Sequence, residues 1–133
     1  MIVVTRGVFD LFHRGHVNLL RRCWEIGHDV NIGLLKDKDV KELQGYTPIM
    51  SFEERKEVIK ACRYATATVF EIDINNFKKQ VECFEADFVI AGSDWAKKDI
   101  YKEYRVPKKW LDPYLIYVPY TEGISTTDIK KRI

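Results

Sequence analysis

Long hydrophobic runs are missing from this 133-residue chain. No apolar stretch approaches the roughly 20 residues that a membrane span requires, so no membrane partner is expected. The start, Met1-Ile2-Val3-Val4-Thr5-Arg6, has no charged region followed by a long apolar segment and does not read as a signal peptide. Cysteine is scarce: Cys23, Cys62 and Cys83 are far apart and odd in number. That excludes a disulfide framework or a zinc knuckle and predicts buried thiols in a reducing, cytoplasmic setting. Excess charge is also lacking, with 22 Lys and Arg against 20 Asp and Glu, a net +2. This suits a small anionic substrate and gives little support to nucleic-acid binding. The basic groups Lys97-Lys98, Lys108-Lys109 and Lys130-Lys131-Arg132 read as solvated surface. Neither G-x-G-x-x-G nor G-x-x-x-x-G-K-[ST] occurs, which argues against a dinucleotide oxidoreductase and a P-loop enzyme. No nucleophile elbow is present.

What is present is a core. An apolar fraction of 46% with 13% aromatics specifies a folded chain, and the length fits one domain. Short apolar runs predict strands at 2–5, 30–35, 67–72, 88–91 and 114–118. Between them, helical spacing marks 17–26, a helix capped by Ser51 with Glu54 three residues on, and a helix through Phe77, Val81 and Phe84. In the second of these, Val58, Ile59 and Cys62 are expected to face inward. Lys36–Met50 is expected to be a charged, helix-poor loop containing Gly45 and Pro48; Ser93–Pro113 is a long segment to which no element is assigned, with residues 97–111 a candidate cover for the substrate. Ser125 should cap a last helix. Strands alternating with helices, with both sheet faces apolar, predict an α/β fold: a single-domain, Rossmann-like, parallel five-stranded sheet with helices on both faces. Ligands of such sheets bind at the carboxyl ends of the strands.

Four loops should share that edge, and one carries the strongest chemistry. Gly7-Val8-Phe9-Asp10-Leu11-Phe12-His13-Arg14-Gly15-His16 joins the first strand to the first helix. A helix start concentrates unpaired N–H groups and partial positive charge, and so attracts phosphate. His13 and His16, at i and i+3, share one side of the first turn, where two N–H donors could hold the oxygens of a phosphorus atom during displacement. The plain alternatives are that one histidine caps the helix while the other is surface, or that the pair is half of a metal site, for which no third ligand has suggestive spacing. Thr121-Glu122-Gly123-Ile124-Ser125-Thr126-Thr127 places a glycine turn before a hydroxyl-rich cap, read either as a second phosphate cradle or as ordinary capping.

Together with Glu54-Arg55, Arg63-Tyr64 and Gly92-Ser93-Asp94-Trp95, these stretches resemble the cytidylyltransferase family of the nucleotidylyltransferase superfamily, most closely its glycerol-3-phosphate members. The resemblance implies CTP bound by Gly7, Val8, Phe9, Asp10, Gly15, Gly92, Asp94 and Thr121 to Thr127, with Asp10 also supporting the histidine loop, Asp94 on the nucleoside side and Mg²⁺ accompanying the nucleotide. It implies His13 and His16 as the transition-state donors, an alcohol phosphate as acceptor, a homodimer, and Arg55 and Arg63 at the substrate phosphate or a dimer interface. Three positions depart from the family pattern. Gln44 stands where a lysine usually precedes the loop glycine, so Lys41, or Lys38 or Lys36, is expected to substitute. Tyr120 replaces an arginine before the Thr121 stretch, and Thr66 replaces an aspartate. No metal site built from protein ligands is expected. The absence of an evenly spaced aromatic box suits a polyol phosphate better than choline phosphate. The competing readings are a choline- or ethanolamine-phosphate cytidylyltransferase, an ATP-dependent relative, a nucleotide-binding module with weakened or no turnover, and a purely structural domain.

Overall fold

The computed structural model describes residues 1–133. Its strands are β1 (Ile2–Gly7), β2 (Asp29–Leu34), β3 (Val69–Glu71), β4 (Phe88–Gly92) and β5 (Leu115–Val118). They form one parallel sheet in the order β3-β2-β1-β4-β5. The order reverses at β1: the chain moves outward through β2 and β3, then returns to the other side of β1 with β4. Crevices at such reversals are the ligand sites of open parallel sheets.

Period-two alternation divides the apolar residues between the faces. Val4 and Val89 pack with Leu35, Val40, Phe77 and Leu111 on one side. Val3 and Ile90 pack with Leu20, Cys23, Ile59 and Val118 on the other. The second face is covered by α1 (Arg14–Ile26) and α3 (Phe52–Lys60). The first is covered by α2 (Asp37–Gln44), α4 (Phe77–Cys83), α5 (Ile100–Tyr104) and α6 (Lys108–Leu111). The chain closes with α7 (Thr126–Arg132). No helix is long and apolar enough to cross a membrane.

Several expectations are corrected. The stretch expected to be helix-poor contains α2. Asp37 and Asp39 complement its amino end and Lys41 its carboxyl end. Gly45, at φ 82°, ends it in the left-handed region that glycine adopts without steric cost. In α3, Ser51 and Glu54 form the expected capping box, but Val58 is 37% exposed. The inward face instead runs through Arg55, Ile59 and Cys62, at i, i+4 and i+7. Of the three thiols, only Cys23 is fully buried, and burial pushes it up to about 12; Cys62 is half-buried and Cys83 exposed. The long segment after β4, to which the sequence assigns no element, holds a 3₁₀ turn, Ser93–Lys97, followed by α5 and α6.

Candidate active site

The loop between β1 and α1 holds two bulky residues at positive φ, Phe9 (53°) and Leu11 (49°). Side chains seldom adopt that region, and each such residue costs roughly 1–3 kcal/mol. The surroundings hold the loop there from three directions. The Asp10 carboxylate, 2% exposed, accepts from Ile49 N (2.8 Å), Met50 N (2.9 Å) and Leu11 N (3.1 Å). Arg55 donates to Val8 O and Leu35 O, both at 2.9 Å, to Met50 O at 3.0 Å, and to the Asp37 carboxylate. The Thr126 hydroxyl donates to Asp10 O at 3.0 Å. The loop is therefore fixed before any ligand arrives.

What it fixes is the histidine pair. Gly15 N donates to His13 Nδ1 (3.1 Å), and His13 N donates to His16 Nδ1 (3.2 Å). A ring nitrogen that accepts from an amide carries no proton, so each neutral imidazole bears its proton on Nε2. The rings stack with centroids 3.8 Å apart, and His16 also packs against Phe9 and Phe12. Burial, then the neighbouring His13, lowers His16 to about 3, while the nearby Asp10 opposes the shift. Burial and then Arg14 lower His13. Both rings are thus neutral N–H donors at neutral pH. The capping role and the phosphate-facing role are therefore compatible, since Nδ1 serves the first and Nε2 is left for the second. Gly15 is required by close approach: a Cβ there would lie 2.9 Å from His13 Cε1.

His13 and His16 line a cleft of about 320 Å³ at the β1–β4 reversal. Among the residues expected to bind nucleotide, Gly7, Val8, Phe9, Gly15, Gly92, Asp94, Thr121, Ile124, Ser125 and Thr126 also line it. Asn18 Nδ2 donates to Thr121 Oγ1 (2.8 Å), and Ser125 caps α7 through Asp128 N. This ties the C-terminal stretch to α1 across the cleft. Asp10, Glu122, Gly123 and Thr127 fall outside the lining, and Asp10 acts by bracing the histidine loop.

Three expected residues lie elsewhere. Arg55 is fully buried and its donors are satisfied within the chain, so it faces neither a substrate phosphate nor a partner subunit. Arg63 is exposed and lies over Tyr64. Nearby Thr66 bonds Val30 N and His28 O at the amino ends of the strands, the edge opposite the cleft. Of the roles expected for Arg63, only the interface is compatible with that place. Lys41 points its Nζ to Gly45 O (3.5 Å) and lines a separate surface pocket with Lys36 and Lys38. No lysine lines the cleft. The regular helix α2, where a flexible loop was expected, holds Lys41 away. Sequence reasoning gave no site role to Thr5, Arg6, Leu19, Ala91 and Tyr104, which also line the cleft, together with Trp95 and Tyr120.

A reversal-point cleft with two neutral imidazole donors and a braced loop defines an α/β nucleotide-handling enzyme. The comparisons narrow the class. A family model described as Cytidylyltransferase-like matches residues 4–132, so the chain belongs to that family, whose reaction type is nucleotidyl transfer. It is 33% identical to the glycerol-3-phosphate cytidylyltransferase of Staphylococcus aureus over 98% of this chain and 93% of that protein. It is 28% identical to the ethanolamine-phosphate cytidylyltransferase of Dictyostelium discoideum, over 98% of this chain but 36% of that longer protein. The fold also matches a lipopolysaccharide core biosynthesis protein from Thermoplasma volcanium, with a TM-score of 0.75 at 20% identity over 92% and 98% of the two chains.

Proposed function

We propose that this chain transfers the cytidylyl group of CTP to glycerol 3-phosphate or a close polyol phosphate. An acceptor phosphate oxygen attacks the α-phosphorus in line, the bond to the bridging oxygen breaks, and pyrophosphate leaves with its electron pair. The products are a CDP-alcohol and pyrophosphate. No protein nucleophile is needed, because positioning and charge stabilisation carry such reactions.

The observation that carries this reading is the His13–His16 pair, with both Nδ1 atoms occupied by backbone amides and both Nε2–H groups left as donors. Neutral donors suit this chemistry because they meet charge developing on phosphate oxygens without releasing a proton. Ser125, Thr126 and Asp94 line the same cleft; in this reading the start of α7 at Ser125 and Thr126 meets the triphosphate and Asp94 the nucleoside. Mg²⁺ fits as part of the nucleotide substrate. No group of three or more His, Cys, Asp or Glu residues could hold it unaided, and both Asp10 carboxylate oxygens already accept amide hydrogens. Triphosphate oxygens and water are its natural ligands.

A second reading, nucleotide binding with weakened turnover, is favoured by the absence of any lysine from the cleft. Pyrophosphate release with CTP or ATP, measured across glycerol 3-phosphate, choline phosphate and ethanolamine phosphate, decides between them. Turnover with CTP and glycerol 3-phosphate is expected. CTP binding in a calorimeter without turnover on any acceptor would favour the second reading, and a preference for ATP would refute the assignment of CTP.

A further inference from the structure

Arg6, the last residue but one of β1, is the only arginine or lysine lining the cleft. It is 6% exposed, and its two terminal nitrogens are buried without any hydrogen-bond partner. Such an arrangement is costly in a finished interior, because a guanidinium keeps its charge and presents five donors. The contrast with Arg55 is informative. That arginine is buried completely, but its nitrogens meet three carbonyls and a carboxylate.

Arg6 instead lies against aromatic rings, its Cζ 4.1 Å from the Tyr104 centroid and 4.8 Å from that of Phe77. Burial pushes the Arg6 guanidinium below its ordinary value, an effect that Tyr104, Glu103 and Asp39 only partly oppose, and none of the three hydrogen-bonds its terminal nitrogens. The side chain also lines a smaller pocket of about 150 Å³ that shares Gly7, Val8, Trp95 and Tyr104 with the cleft. On β1, Val3 and Thr5 face α1, whereas Val4 and Arg6 face α4 and α5. Arg6 and the histidine pair therefore flank the carboxyl end of β1 from opposite faces. That placement suits an in-line displacement, in which the acceptor phosphate approaches the α-phosphorus from the side opposite the leaving pyrophosphate.

We infer that Arg6 is the anion-binding group of the acceptor subsite, taking oxygens of the acceptor phosphate and selecting acceptors without a cationic headgroup. This rests on the cytidylyl-transfer reading and names its substrate class. Selectivity follows from the rings. A quaternary ammonium, which has no N–H to donate, is held by aromatic faces free of competing cations, and here Arg6 occupies those of Tyr104 and Phe77 while Lys98 lies 5.2 Å from the Trp95 ring.

The test compares wild type with Arg6→Gln, Arg6→Lys and Arg6→Met. Loss of a charge-assisted bond predicts that Arg6→Gln raises the KM for glycerol 3-phosphate about 10- to 150-fold, with the KM for CTP little changed. Arg6→Lys should recover part of the loss, and wild type should discriminate strongly against choline phosphate. Equal changes in both constants, no change in either, or comparable use of choline phosphate would overturn the inference. Calorimetry with glycerol 3-phosphate, with and without CTP, separates this from the fate of the reaction itself. Binding that disappears in Arg6→Gln upholds the subsite even if no pyrophosphate forms; binding that persists, or is absent from wild type, refutes it. Arg6→Met should unfold at the same or a higher temperature, because it removes an unpaired buried charge. A marked fall in stability with unchanged acceptor affinity would identify a structural arginine and overturn the assignment.

Discussion

Asp10→Asn removes the brace of the histidine loop with almost no change of volume, so its effect isolates hydrogen bonding. The carboxylate accepts three amides, from Leu11, Ile49 and Met50. An asparagine has one acceptor oxygen, and its NH₂ group turns a donor toward amides that are themselves donors. At least one part-buried N–H is left unpaired, costing about 1–3 kcal/mol, and the surviving bonds lose their charge assistance. A total of about 2–4 kcal/mol follows, a large share of the roughly 5–15 kcal/mol that holds a domain together. The loop feels the loss first, because Phe9 and Leu11 keep positive φ only while their surroundings impose it. Turnover should therefore fall by at least about tenfold even where the protein is folded, since displacement of about 1 Å can cost about a hundredfold. Urea denaturation gives the first quantity and pyrophosphate release at saturating substrate the second. Wild-type stability together with wild-type turnover would refute the idea that the loop is held in place by Asp10.

Other consequences can be checked separately. The histidines titrate lower in the folded protein than the ordinary value near 6.5, His16 at about 3. The unfolded chain therefore binds more protons between those limits, and stability is lost as pH falls from about 6.5 toward 3, by at most about 1.4 kcal/mol per pH unit for each ring. The stability advantage of wild type over His16→Gln should shrink across that window in urea titrations; a constant or growing difference would contradict the buried neutral ring. Lys41→Ala should leave turnover within about twofold, because its Nζ faces Gly45 O outside the cleft. A large loss would mean that α2 moves during the reaction. Arg55→Met strands the carbonyls of Val8, Leu35 and Met50 and should destabilise the protein by about 3–5 kcal/mol in the same denaturation assay. A neutral result would remove Arg55 from the support of the loop.

Much of the fold is legible in the sequence because its strands are continuous apolar runs and its helix starts carry their own caps. Ser51 with Glu54, and Ser125, bond as the spacing predicts. The histidine loop is legible because the strand before it and the helix after it are both strongly patterned. Three features escape for physical reasons. Helix α2 buries only Asp39 and Val40, too little apolar surface to show a period. Arg55 occupies a core position that a hydrophobicity pattern assigns to solvent, so the pattern alone rotates α3 and places Val58 inward. Arg6 follows the apolar run at 2–5 and carries no local signal. Its meaning depends on Tyr104, far away in the chain, just as the Thr126–Asp10 bond joins positions 116 residues apart. Bracing residues near a site are hard to separate by sequence from residues that touch a ligand, and Asp10 and Arg55 are both of the first kind.

The central claim is that the neutral His13–His16 pair stabilises charge on a phosphate group displaced from CTP. It is tested most directly by single-turnover pyrophosphate release from CTP and glycerol 3-phosphate by wild type and by His16→Ala, each shown to be folded. A fall of about a hundredfold or more in the chemical step is expected, with CTP binding largely retained. A folded His16→Ala protein that releases pyrophosphate at nearly the wild-type rate would contradict it.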